Sequence, residues 1–251
     1  MSMRRLTLQA LDGLPLIAPG DDLAALLAGA VRRMQIVPEN GDVIVVAQKV
    51  VSKAEGRLVD LDGIKPSPRA FALAREVGKD ARLVEVILRE STEVVRHKKD
   101  VLIVAHRLGF VMANAGVDQS NVDPDTVALL PEDSDRSARA FRERVLALTR
   151  ADVAVIIADT FGRPWREGLT NVAIGLDGIA ALRDYIGAPD SAGRPLQATI
   201  LAVADELASA AEIVMGKLDR IPAAIVRGLS FETGPAGSKP LLRDPARDLF
   251  R

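Results

Sequence analysis

Apolar and polar positions alternate in blocks along the chain, and the blocks take two different periods. "DDLAALLAGAVRRM" spaces Leu23, Leu26, Leu27 and Ala30 along one helical face behind two capping candidates, Asp21 and Asp22, which predicts an amphipathic helix over 21–34. "GDVIVVAQKV" follows a Gly-Asp turn with five apolar residues in a row, the pattern of a buried strand over 43–47. In "SPRAFALAREVG", Ser67 caps, Pro68 takes the first helical position and Gly78 stands past the end, so a short helix is predicted. A further helix is expected from Ala81 to Ser91, and His97, between Arg96 and Lys98-Lys99, reads as a solvated helix end. "VLIVAHRLGFVMANAG" predicts two strands about the turn Arg107-Leu108-Gly109, "SARAFRERVLALT" a helix and "DVAVIIAD" a strand. "LQATILAVADELASAAEIVMG" passes into an Ala-rich helix near Ala204, with Gly216 as its C-cap, and "PAAIVRGL" is a last strand. Hairpin and crossover signals both occur, so the fold class is α+β (mixed α/β), a mixed sheet with surrounding helices. Neither a repeat nor a low-complexity linker breaks 1–251, which is read as one domain with room for two subdomains. The stretch 231–251, including "TGPAGSKP", is expected to be a flexible tail.

Composition narrows the chemistry. Apolar residues make up 48% of the 251, but aromatics only 3%, so the core is aliphatic and stacking platforms for nucleic-acid bases are scarce. A net charge of -1 supplies no global field for nucleic acid or an anionic membrane, and the amino-terminal apolar pieces are too short for a signal segment or a membrane span. Cysteine is absent, which removes thiolate metal sites and cysteine nucleophiles and fits a reducing, cytoplasmic location. Two histidines are too few for a histidine-built metal centre. No Walker, dinucleotide or nucleophile-elbow motif is present, and "GPAGSKP" resembles a phosphate cradle only loosely.

Oxygen ligands remain. Asp159 and Thr160 stand where an apolar strand is expected to give way to a loop, the setting in which a carboxylate and a hydroxyl can hold Mg²⁺ or Mn²⁺; an Asx turn or a helix cap is the plainer alternative. In "NAGVDQSN", Asp118 and Asn121 sit past another apolar segment, and turn chemistry is again the alternative. Basic partners are expected from two loops: "SKAEGR" offers Lys53 and Arg57, and "GRPWREG" offers Arg163 and Arg166 beside Trp165. Trp165 either covers a flat substrate or packs partly buried.

Taken together, "GLPLI", "SKAEGR", "NAGVDQSNV", "IIADTFGRPWREG", "AIGLDGI", "VADELASAAEIVMG" and "IPAAIVRGL" resemble, in order and over about residues 8–229, the coenzyme F-420-0:L-glutamate ligases, or γ-glutamyl ligases. The resemblance implies a GTP-dependent enzyme with a family-specific mixed-sheet fold, which adds L-glutamate to the lactyl carboxylate of a deazaflavin acceptor and extends it through γ-linkages. It implies nucleotide contacts at Leu14, Pro15, Leu16 and Ile17, at Lys53 and Asn121, and around Met215, Gly216 and Lys217. Asp118 and Asp159 take the positions of metal ligands, with Thr160 on a second metal; Mg²⁺ or Mn²⁺ is the expected ion, with K⁺ as an additional candidate. Relatives form homodimers, and some carry a fused nitroreductase-like domain; this chain looks like the stand-alone form. Two departures stand out: Gln48 replaces a small hydroxyl residue that would contact nucleotide, and Lys217 replaces an acidic residue that would bind a second metal. Acyl-phosphate chemistry suits such a chain, because positioning and charge stabilisation by metal, Lys53, Arg163 and Arg166 carry it rather than a protein nucleophile. Two other readings remain: a different metal- and nucleotide-dependent phosphotransferase, or a non-catalytic nucleotide-binding protein.

Overall fold

The computed structural model describes residues 5–234 and 237–249, so Pro235 and Ala236 of the cradle-like tail segment lie outside the described residues. Strand β1 (Thr7–Ala10) leads to α1 (Leu23–Arg33), β2 (Val43–Ala47), α2 (Gln48–Ala54) and β3 (Leu58–Asp60). Helices α3 (Pro68–Val77) and α4 (Ala81–Arg89) precede β4 (Ser91–Lys98), β5 (Val101–His106), β6 (Val111–Ala113) and β7 (Thr126–Ala128). Then come α5 (Ser134–Thr149), β8 (Ala154–Arg163), β9 (Arg166–Asp177), the short pair β10 (Arg183–Asp184) and β11 (Ile200–Leu201), α6 (Val203–Met215) and β12 (Ala223–Arg227).

The central sheet has the order β1-β12-β2-β8-β9 and is mixed: β2 and β8 run parallel, and the other neighbours antiparallel. Its inner strands read as unbroken apolar runs because both faces are covered. With side chains alternating along each strand, Ile44, Val46, Val155 and Ile157 join the cluster with α1 and α5, whereas Val43, Val45, Ile156 and Ala158 join the cluster with α6. A third cluster, built from α3, α4, β5 and β7, forms a smaller lobe whose sheet has the order β4-β5-β6. The expected caps form: Asp22 accepts from Ala25 N at 3.0 Å, Ser67 from Ala70 N at 3.2 Å, and Gly78 closes α3 in the left-handed conformation.

Four sequence-based expectations change. His97 lies on strand β4, not at a helix end, and its Nε2 meets Glu76 Oε2 at 2.7 Å. "SKAEGR" does not follow β2 as a loop: the ladder stops at Ala47 and α2 begins at Gln48, so Lys53 is helical. Arg57 is not available to anions, since its guanidinium binds Glu90 Oε2 at 3.0 Å and Leu130 O at 3.0 Å, tying the smaller lobe to the main sheet. Asp159 and Thr160 do not end a strand either; β8 runs on to Arg163 and pairs Asp159 with Val172 and Thr160 with Asn171. The strand tolerates this polarity because β9 and α6 meet it with polar groups of their own. Near the carboxyl end, Phe231 and Leu241 pack against the α6 side of the sheet, and Ser238 N donates to Asp135 at 2.9 Å.

Candidate functional site

Two segments distant in sequence converge where β8 leaves the core. The first is the turn after β6, where Asn114, Ala115 and Gly116 all have left-handed backbones, with φ of 52°, 54° and 67°. For Ala115 this conformation is strained, and it persists because the residue is fully buried. At Gly116 even a Cβ would come within 2.7 Å of Leu130 Cδ2, so the turn has no room for a side chain there. It delivers Asp118 to the edge of β7, where Asp118 N donates to Ala128 O at 3.0 Å and Asp118 O accepts from Ala128 N at 2.8 Å. Asp118 Oδ1 accepts from Ser120 N at 2.7 Å, the Asx geometry expected of such a loop.

The second segment is β8 itself. Strand alternation turns Asp159 and Thr160 toward opposite faces. Thr160 Oγ1 donates to Asn171 Oδ1 at 2.8 Å and accepts from Lys217 Nζ at 2.8 Å, and Asn171 Nδ2 donates to Glu212 Oε2 at 2.8 Å. The hydroxyl is thereby fixed by β9 and by the end of α6.

Helix α2 supplies cations. Lys49 and Lys53, one turn apart, share a face. Lys49 Nζ lies 2.6 Å from Asp118 Oδ2 and also donates to Ser120 Oγ, and Lys53 Nζ donates to Asn121 O.

Electrostatics separates the two carboxylates. Burial pushes the Asp159 carboxyl up to about 6; the Thr160 N–H pulls against it, the charge of Asp118 adds to it, and Lys217 and Lys49 oppose it. Burial acts in the same direction on Asp118, but Lys49 and the Ser120 N–H outweigh it and hold that carboxyl below the usual range. The pair is thus a locus of negative charge that the protein itself neutralises only in part. Among the described residues no group of three or more His, Cys, Asp or Glu side chains forms a metal cluster. Two carboxylates nevertheless fit a hard divalent cation that completes its shell with substrate phosphate and water, while Thr160, on the other face of β8, is held by Asn171 and Lys217.

Of the residues singled out from sequence, Asp118, Asn121, Asp159, Thr160, Lys53 and Lys217 gather here. The segment Leu14–Ile17 joins the cluster that also takes Val51 of α2: Ile17 is buried, Pro15 and Leu16 are exposed, and beyond the segment Gly20 N donates to Ala54 O at 2.8 Å. Gln48 is buried at the start of α2, with its Oε1 taken by Ser52 Oγ at 2.8 Å. Gly216 caps α6 with φ 64°, and the Met215 side chain is buried in the core beneath that helix. Arg163 and Arg166 lie at the exposed tip of the β8–β9 hairpin, Arg163 Nη2 donating to Glu167 O at 3.3 Å. That is four residues, roughly 13 Å of strand, beyond Asp159. Trp165 between them is 87% exposed, which removes the packing alternative for it. Lys49, Ser120, Asn171 and Glu212 were missed; the i, i+4 spacing of Lys49 and Lys53 was the signal that could have found the first. A cavity of about 280 Å³ lies elsewhere on the α1 side of the sheet, floored by Val51, Phe141 and Ile157 and rimmed by Asp22 and Arg144.

Fold and site together define an α+β protein with a mixed central sheet and a lysine-flanked carboxylate pair at the outer end of β8. The chain belongs to the F420-0:gamma-glutamyl ligase family, whose model matches residues 13–228. It is 52% identical over 240 residues to the coenzyme F420:L-glutamate ligase of Methanopyrus kandleri, covering 94% of this chain and 93% of the relative. The protein of that name from Methanothermobacter thermautotrophicus is 45% identical over 249 residues, covering 98% and 99%. The one from Archaeoglobus fulgidus is 44% identical over 241 residues, covering 96% and 94%. No helix among the described residues is long and apolar enough to cross a membrane.

Proposed function

We propose that the chain is a coenzyme F420:L-glutamate ligase that uses GTP, works through an acyl phosphate and extends its product by γ-linked glutamates. The observation that carries this reading is the meeting of Asp118 and Asp159, whose charges interact although they come from separate lobes. Asp118 and Asp159 would hold Mg²⁺ or Mn²⁺, with Thr160 toward a second metal, and the metal when bound would neutralise phosphate charge and orient the nucleotide. Lys53, and Lys49 beside it, offer ammonium groups to phosphate oxygens, while the segment 14–17 and the turn at Gly216-Lys217 border the nucleotide. Arg163 and Arg166, at the hairpin tip, are positioned to receive carboxylates of the acceptor or of incoming glutamate.

In the reaction, an acceptor carboxylate oxygen attacks the γ-phosphorus and the GDP oxygen leaves. The glutamate amine, having lost a proton, then attacks the acyl carbon and inorganic phosphate departs. No protein nucleophile is needed, in keeping with a chain that has no cysteine and whose two histidines are engaged elsewhere, His97 with Glu76 and His106 beside Glu90. We further propose that the enzyme is cytoplasmic and works as a homodimer on small-molecule substrates, with neither nucleic acid nor membrane as partner.

Purified protein incubated with acceptor, L-glutamate, GTP and Mn²⁺ is expected to give products heavier by successive glutamyl increments in mass spectrometry. GDP and phosphate should appear only when glutamate and acceptor are both present. GTP turnover without amide formation would favour a different phosphotransferase, and GTP binding without turnover a non-catalytic protein.

A further inference from the structure

Three of the oxygens assigned to the metal or to the nucleotide already touch an ammonium group of this chain. Lys49 Nζ is 2.6 Å from Asp118 Oδ2, Lys217 Nζ is 2.8 Å from Thr160 Oγ1, and Lys53 Nζ donates to Asn121 O. The Lys49 contact differs in kind from the other two, because it places a full positive charge directly on a carboxylate that would ligate the cation. A divalent ion and an ammonium cannot share one carboxylate oxygen at such a distance without strong repulsion. Lys49 is also not sealed in: its side chain is 23% exposed, on a flexible four-carbon stem, and its second partner is the Ser120 hydroxyl of the same loop.

We infer that Lys49 is a resident counter-ion of the site, holding Asp118 in place until a divalent cation displaces it, and that the displaced ammonium then binds the anionic nucleotide that accompanies the metal. The inference rests on the proposed metal-dependent reaction and adds a role that the sequence motifs did not assign. It has a consequence that a purely structural lysine would not produce. Removing the Lys49 charge should strengthen the binding of the metal by itself, since nothing then competes for Asp118. It should also weaken the binding of the metal–nucleotide complex, since a phosphate partner is gone.

The test is titration of the metal-free, full-length protein with Mn²⁺ alone, followed by electron paramagnetic resonance of the free ion, and separately with Mn²⁺ plus a non-hydrolysable GTP analogue. Lys49→Gln is expected to bind Mn²⁺ alone roughly tenfold more tightly than wild type, the size of effect a neighbouring charge has on an adjacent ionic equilibrium. The same variant should bind the Mn²⁺–analogue complex more weakly, and Lys49→Arg, which keeps the charge, should remain near wild type for Mn²⁺ alone. Unchanged or weakened binding of Mn²⁺ alone by a folded Lys49→Gln would overturn the inference while leaving the metal site standing. Asp118→Asn and Asp159→Asn run alongside: if both bind Mn²⁺ as wild type does, the metal reading itself falls, and this inference with it.

Discussion

Asp159 carries the sharpest consequence at the scale of single residues. Its carboxyl titrates near 6 in the folded, metal-free protein against 3.8 as the ordinary value. Below pH ~4 the group is protonated whether the chain is folded or not, and it costs nothing. As pH rises the unfolded chain releases its proton first, so the metal-free fold loses stability progressively until pH ~6, beyond which the loss stays constant. Asp159→Asn removes this penalty. Thermal melts without divalent ions are therefore expected to show the variant gaining on wild type between pH 4 and pH 7, and saturating Mn²⁺ should close the gap by stabilising wild type alone. A gap that does not vary with pH would refute the raised pKa. In turnover the same substitution should cost on the order of 10²–10³ in kcat, the usual scale for removing a group that fixes transition-state charge. Asp118, Asp159 and Thr160 stood out in the sequence as carboxylates and a hydroxyl directly after apolar runs, but that Asp159 and Thr160 lie inside a paired strand was not visible there. Lys49 was passed over, since "AQKV" reads as the end of an apolar strand, and its i, i+4 spacing to Lys53 becomes a signal only once α2 is known to begin at Gln48. The left-handed backbone of Ala115 was equally hidden, because nothing in an alanine announces positive φ.

Among the elements, the longer helices were read from the sequence, α2 was missed, and the strands were read unevenly. Period and caps fixed α1 and α3 because their ends carry their own chemistry, such as Ser67 before Pro68 and Gly78 after Val77. Strand β9 escaped notice because its first half, with Glu167, Gly168, Thr170 and Asn171, is polar and finds its partners in β8 and α6 rather than in a core. Its second half is held to α5 at Gly175, where a Cβ would stand 2.3 Å from the backbone oxygen of Ser134. The obstacle is backbone, so it cannot swing aside. Gly175→Ala is expected to force α5 off the sheet and to lower unfolding free energy by about 3 kcal/mol, the upper part of the overpacking range. Urea titration measures it, and a loss under about 1 kcal/mol would mean that the helix yields easily.

At the scale of the whole molecule, the site joins two bodies: Asp118 belongs to the lobe built on α3, α4 and β5, and Asp159 to the central sheet. Arg57 spans them, binding Glu90 Oε2 and Leu130 O while its own carbonyl accepts from Leu129 N at 2.9 Å. Arg57→Ala should leave Glu90 to Arg107 and take the guanidinium partner from Leu130 O, cost about 2 kcal/mol of stability and weaken Mn²⁺ binding without touching the metal. Calorimetry and Mn²⁺ titration of the variant check both halves, and full metal affinity in a destabilised protein would show that the lobes dock independently of this residue. Sequence could give neither the two lobes nor their junction, because the pairing of Asp118 with Ala128 and of Leu58 with Ala128 depends on chain segments that only the fold brings together. The central claim is that Asp118 and Asp159 grip one divalent cation beside a nucleotide. Anomalous diffraction from crystals grown with Mn²⁺ and a non-hydrolysable GTP analogue tests it most directly. A manganese peak bridging the two carboxylates and a phosphate oxygen is the expected result; an ordered nucleotide with its manganese bound away from both aspartates would contradict it.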